Sequence, residues 1–168
     1  MSSFCRRSMR PAAFAKQPKR EERTMTSKTA QLNELIEIAR DGQRFYEHAH
    51  DAVEDVRLQA LFRDMSRAKT EVIQALTGKV VDDHEVPATG GTFAGTLRKL
   101  YADTLATLSS DGEAAYVAQL EAAEERILHA FEDALASAEP DVRALLVAEM
   151  PKVRAGHERM RELKQSLQ

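Results

Sequence analysis

Apolar residues recur at alternating intervals of three and four along four long segments of the chain, and this spacing constrains the fold more than any other feature. A strand brings every second residue to one face, whereas residues three and four apart share one face of a helix. The pattern therefore predicts an all-α protein. In the first segment the apolar and small residues of this face are Leu32, Leu35, Ala39, Gly42, Tyr46, Ala49 and Val53.

Interruptions of the pattern give the expected helix boundaries. Helices are predicted over about residues 29–54, 58–78, 112–138 and 142–167. The Glu54-Asp55 pair separates the first two helices, and Glu139-Pro140-Asp141 separates the last two. Pro151 lies inside the fourth helix, where it removes one backbone hydrogen bond. Because the apolar spacing continues on both sides of Pro151, we expect a kinked helix and not two helices.

The connection between the second and third helices is long. Residues 79–91 contain Pro87 and the Gly90-Gly91 pair without apolar periodicity, which predicts a loop. Apolar residues from Phe93 to Leu108 then predict a shorter helix. Such a connection can carry the chain from one end of a bundle to the other. The expected fold is therefore a ferritin-like four-helix bundle whose long crossover contains a short extra helix, with a simple up-and-down bundle as the alternative.

The N-terminal part of the chain differs from the rest in charge. Residues 1–24 hold seven basic residues against two acidic ones, although the whole chain has a net charge of -3. This part has no apolar periodicity, so burial cannot offset the entropy lost on ordering it. We predict a disordered basic extension over residues 1–28 and a single domain over 29–168. A targeting peptide and a true start at Met25 are the alternatives.

The composition limits which cellular compartment and which classes of partner are expected. No apolar run approaches the length of a membrane-spanning helix, and the single cysteine, Cys5, cannot form an intramolecular disulfide. The cytoplasm is the simplest expectation. The basic extension could attract nucleic acid, but the acidic remainder opposes this, so nucleic acid is not the expected partner.

The motifs of common enzyme classes are missing from the sequence. It has no Gly-rich phosphate loop, no serine nucleophile elbow and no cysteine pair, so we predict a protein that is not an enzyme. Two polar groups could in principle hold an ion: Glu47 with His50, and His84 with its acidic neighbours. A hydrated surface is the expected role of both.

Several strings resemble the ferritin-like bundle proteins known as domain of unknown function 2383. The resemblance covers about residues 30–167. Its most specific part is Val153-Arg-Ala-Gly-His157-Glu-Arg159. The family implies the fold but no activity. The other strings lie at residues 32–36, 41–42, 58–62, 95–98, 121–135 and 140–146.

Ferritin-like proteins in general imply a test for a di-iron site. Their di-iron members hold two metals with carboxylates and histidines from all four helices. Of the matching residues here, only Glu124 and His157 are of a ligand type. We therefore predict a degenerate site without metal or other cofactor, in which a polar cluster replaces the ions. The matching positions are Gln43, Lys69, Val72, Glu124, Arg154 and His157, and all except Val72 belong to the predicted cluster.

The expected function is that of a non-enzymatic bundle. Loss of the metal site removes the chemistry that this architecture usually hosts, which leaves self-association into a homo-oligomer or binding of an unidentified protein partner. Ferritin-like relatives suggest a link to stress responses. The alternative is a divergent iron- or manganese-binding protein, in which Glu121, Glu149 or Glu158 joins Glu124 and His157.

Overall fold

The computed structural model describes residues 18–90 and 112–167, with side chains from residue 27 onward. These residues form four helices and no strand, which confirms the all-α prediction. None of the described helices holds an apolar stretch long enough to cross a bilayer. The helices are α1 (Pro18–Ala52), α2 (Val56–Asp82), α3 (Gly112–Ser137) and α4 (Pro140–Ser166).

Contacts between the helices give their directions. Helices α1 and α2 are antiparallel, because Gln43 bonds Thr70 while Gln59 reaches back to the carbonyl of Val53. Helices α3 and α4 are also antiparallel, since their ion pairs are Glu121 with Lys164 and Glu132 with Arg154. Helix α3 in turn runs antiparallel to α1, because Gln31 bonds the carbonyl of Ala134 and Tyr46 bonds Glu124. Helices α2 and α3 therefore point the same way.

This parallel pair requires a connection between opposite ends of the bundle. Lys79, near the end of α2, pairs with Asp141 at the start of α4. At the other end, Glu113 at the start of α3 accepts a hydrogen bond from the backbone N–H of Asp55. The end of α2 and the start of α3 therefore lie at opposite ends of the bundle, as a long crossover would require. The predicted helix from Phe93 to Leu108 lies outside the described residues, and the ferritin-like assignment stays a prediction.

Helix α1 begins at Pro18, whereas the sequence predicted a start near residue 29. Residues 18–28 are therefore helical where a disordered extension was predicted, and residues 1–17 lie outside the described part of the chain. Residues 18–28 lack the apolar periodicity from which the start of a helix is predicted. These residues are nevertheless rich in Lys, Arg and Glu, which have a high intrinsic helix propensity, and proline is favourable at the first position of a helix.

Helix α2 continues one turn beyond its predicted end at Gly78. The helix ends at Asp82, and His84 follows in the left-handed conformation with a φ of 60°. The backbone N–H of His84 bonds the carbonyl of Val81, and that of Glu85 bonds the carbonyl of Val80. These bonds form a Schellman motif with His84 where glycine is usual. Helix α4, by contrast, is one continuous helix through Pro151, which confirms that part of the prediction, and the kink stays a prediction.

Two apolar clusters are stacked along the bundle. Between them, every helix contributes one residue: Gly42 from α1, Lys69 from α2, Glu124 from α3 and Gly156 from α4. We call these four residues and Tyr46 the central layer. The first cluster draws on residues 32–39, 72–80, 127–138 and 142–153, and the second on residues 45–53, 58–65, 116–123 and Met160.

Candidate functional site

The central layer contains a buried ion pair. The ammonium of Lys69 donates to Oε2 of Glu124 over 2.6 Å. Lys69 is 3% exposed and Glu124 is fully buried. A charge buried in an apolar core is tolerated when a hydrogen-bonded partner of opposite charge accompanies it. Lys69 and Glu124 are such partners for each other. Lys69 comes from the α1–α2 pair and Glu124 from the α3–α4 pair.

Tyr46 completes the hydrogen bonding of the carboxylate. Its hydroxyl donates to Oε1 of Glu124 over 2.8 Å, so both carboxylate oxygens have a partner. Burial raises the pKa of the Tyr46 hydroxyl well above its ordinary value of 10.0, and the charge and hydrogen bond of Glu124 raise it further. The sequence identified Tyr46 only as part of an apolar face. Its ring does pack against Phe62, with centroids 6.0 Å apart.

Two glycines let α1 and α4 approach the ion pair. A Cβ atom on Gly156 would lie 2.9 Å from Oε2 of Glu124 and 3.3 Å from Nζ of Lys69. A Cβ atom on Gly42 would lie 2.9 Å from Cδ1 of Ile127 and 3.9 Å from Cε of Lys69. The ion pair therefore occupies the space that a side chain at Gly156 would fill, whereas Gly42 leaves room for the side chain of Ile127.

The structure brings together only two of the five residues predicted for the polar cluster, Lys69 and Glu124. Gln43 is half-buried and bonds Thr70 instead. Arg154 is exposed and lies 3.7 Å from Glu132. His157 is half-buried, and its neighbour Gly156 faces the centre.

The error on α4 is one of register. Val153 and Met160 lie on the apolar face of α4, seven residues apart. The residue of the turn between them that faces the core can be either Gly156, three residues after Val153, or His157, four residues after it. Histidine can bind a metal and glycine cannot, so the sequence predicted His157 at this position. A glycine inside a helix is costly and often marks a close approach, which was the signal that could have identified Gly156.

Side chains of metal-ligand type do not converge in the described part of the chain. Residues 27–90 and 112–167 hold no group of three or more His, Cys, Asp or Glu side chains that could bind an ion. His50 bonds the adjacent Asp51, and Val72 belongs to the first apolar cluster. The carboxylates proposed to complete a shifted metal site each bind a cation elsewhere: Glu121 with Lys164, Glu149 with Lys152, and Glu158 with Arg161.

A comparison with protein families identifies the chain. The model of the family described as domain of unknown function (DUF2383) matches residues 27–137, more than half of the sequence. The chain belongs to this family. The match confirms the predicted resemblance up to the end of α3. In this DUF2383 protein, Tyr46, Lys69 and Glu124 lie within the matched range, whereas Gly156 lies beyond it. A search among curated proteins found no match, and neither did a search among solved structures.

Proposed function

We propose that this DUF2383 protein is a non-enzymatic bundle of the ferritin-like kind that acts through self-association or through a protein partner, with an ion pair in place of a central metal. One observation carries the proposal. The ammonium of Lys69 lies at the bundle centre, bonded to the one carboxylate of the central layer. A link to stress responses rests on ferritin-like relatives alone.

Electrostatics favour the ion pair over a divalent ion. An ion bound to Glu124 would have to displace Lys69 or share the carboxylate with a positive charge only a few ångströms away. The like charges repel strongly because both positions are buried. Tyr46 holds the other carboxylate oxygen, so an ion would also have to break that hydrogen bond.

The outer face of α4 supports an interaction role. Ala144, Val147, Ala148, Pro151 and Ala155 are exposed on this helix, and Val147 is 58% exposed. These residues recur at helical spacing, so they form one apolar strip along α4. Small residues allow a second helix to come close, and burying Val147 would add a favourable apolar contact. We propose this strip as the surface for self-association.

Elemental analysis tests the metal-free centre. The full chain is expressed without an affinity tag in medium that contains iron, manganese and zinc, and its metal content is compared with that of a Glu124→Gln variant. We expect well below one metal per chain in both proteins. Near-stoichiometric iron or manganese that is lost in Glu124→Gln would instead establish the alternative, a divergent metal-binding bundle.

Sedimentation velocity tests the α4 strip. Self-association of the wild-type protein should rise with concentration, and Val147→Glu should abolish it because a charge would be buried in the contact. The matched control is Val56→Glu, which changes a valine that is 74% exposed at the start of α2. A wild-type protein that stays monomeric, or equal association of the two variants, would contradict this surface.

A further inference from the structure

A groove of about 360 Å³ runs between α2 and α4 and reaches the central layer. Its floor contains Lys69 and Gly156, and its walls include Met65, Ala68, Val72 and Ala155. The buried part of the groove is thus mainly apolar, with Lys69 as its one cation. The other charged residues of the lining are exposed: Asp64, Glu71, Lys152 and Arg159. Facing small residues, Ala68 on α2 and Ala155 and Gly156 on α4, leave this space between the helices.

The ammonium of Lys69 has more donors than the protein satisfies. A lysine ammonium carries three N–H groups. Within the described residues, Oε2 of Glu124 is the one acceptor that bonds Nζ of Lys69. A buried donor without an acceptor costs free energy, and more so when it is charged. A further acceptor is therefore expected to reach Nζ from the groove.

The charge balance indicates what kind of acceptor fits. Glu124 already neutralises Lys69, and Lys152 at the rim already binds Glu149 at 3.0 Å and Glu71 at 3.8 Å. Arg159 also lines the groove, but it is exposed, so solvent screens its charge. A carboxylate next to Lys69 would therefore bring a negative charge that no further buried cation balances. An uncharged oxygen can accept a hydrogen bond from Lys69 without this cost.

We propose that the groove between α2 and α4 binds a small apolar molecule with one uncharged oxygen acceptor, such as a ketone or an alcohol. Its oxygen accepts a hydrogen bond from Nζ of Lys69, and its hydrocarbon part lies against Met65, Ala68 and Val72. A six-carbon ring fits easily into this volume. The groove borders the α4 strip proposed for self-association, and Ala155 belongs to both surfaces.

A matched set of probes tests the site. Cyclohexanone, cyclohexane and cyclohexanecarboxylate are titrated into the isotope-labelled full chain, and binding is followed by NMR at the backbone amide of Gly156. We expect saturable binding of cyclohexanone, about tenfold tighter than that of cyclohexane because of the charged hydrogen bond, and weaker binding of the carboxylate. Equal affinity for ketone and hydrocarbon, or no saturation by the ketone, would overturn the proposal and leave water in the groove.

Variants distinguish the groove from other surfaces. Ala68→Leu fills the groove wall and should abolish ketone binding. Ala60→Leu, on the same helix but outside the groove, should leave ketone binding unchanged. Ketone binding that persists in Ala68→Leu places the ligand elsewhere and refutes the site.

A triple variant tests the role of the ammonium. Tyr46→Phe/Lys69→Met/Glu124→Leu replaces the polar groups of the central layer together, and circular dichroism checks its fold. The folded variant should bind ketone and hydrocarbon with equal affinity. A retained preference for the ketone would show that Lys69 is not the donor. Should the variant fail to fold, the comparison of Ala68→Leu with Ala60→Leu still decides the proposal.

Discussion

Removing the positive charge of the central layer should destabilise the bundle more than any surface change. In Lys69→Met, an apolar chain of similar length replaces the ammonium, and Glu124 keeps only its hydrogen bond from Tyr46. Glu124 is fully buried, so water cannot replace the lost partner. Breaking a buried pair from one side costs about 3–5 kcal/mol, a large share of the stability of a domain of this size.

Replacing all three polar groups should recover this loss. In Tyr46→Phe/Lys69→Met/Glu124→Leu no charge and no hydroxyl is left without a partner. Apolar replacements of complete buried ion pairs range from neutral to more stable by about 1–4 kcal/mol. The triple variant should therefore be at least as stable as the wild-type protein, although Lys69→Met alone is much less stable.

Urea unfolding followed by far-UV circular dichroism measures both differences. The matched control is Lys152→Met, which removes a 42% exposed ammonium from its pair with Glu149. Because solvent screens this pair, the control should lose less than about 1 kcal/mol. If Lys69→Met loses no more than Lys152→Met, the carboxylate of Glu124 is not buried without a partner and our reasoning about the central layer is wrong.

Three further predictions use the same unfolding assay. Gly78→Ala should stabilise the protein by about 0.5–1 kcal/mol, since no atom lies within 4 Å of the added Cβ. Gly156→Ala should destabilise it by about 1–3 kcal/mol, because the added methyl group displaces the ion pair. Equal effects of the two substitutions would contradict the close approach of α4 to the ion pair. His84→Gly should add up to about 1 kcal/mol, because glycine adopts the left-handed conformation without strain, and a loss of stability would show that the His84 side chain matters more than its backbone. Since Tyr46 has a raised pKa in the folded protein, its contribution to stability is complete below pH 10.0 and declines as the pH rises above that value; the decline should be smaller in Tyr46→Phe, and identical alkaline profiles would refute it.

The fold was predictable because the residues that pack in the core are apolar and recur at helical spacing. The interval of three and four gave all four helices, and the break at Glu54-Asp55 coincides with the start of α2 after Asp55. The parts that were missed, residues 18–28 of α1 and the last turn of α2, are governed by helix propensity and local capping. Neither produces an apolar period.

The central layer was predictable only in part. Lys69 and Glu124 were identified because they match positions that hold metal ligands in di-iron ferritin-like proteins. Gly156 was missed because both Gly156 and His157 fit the spacing of the apolar face of α4 between Val153 and Met160. The hydrogen bond of Tyr46 depends on where α1 and α3 meet, which the spacing within a single helix does not record.

The opposite charges of the central layer also give the two halves of the chain a means of recognising each other. Helices α1 and α2 form one hairpin that carries Lys69, and α3 and α4 form another that carries Glu124. Two copies of the first hairpin would bury one ammonium against another, and two copies of the second would bury two carboxylates. Only the mixed pair cancels its charge in the core, so we expect the central layer to disfavour pairing of like hairpins from neighbouring chains during folding.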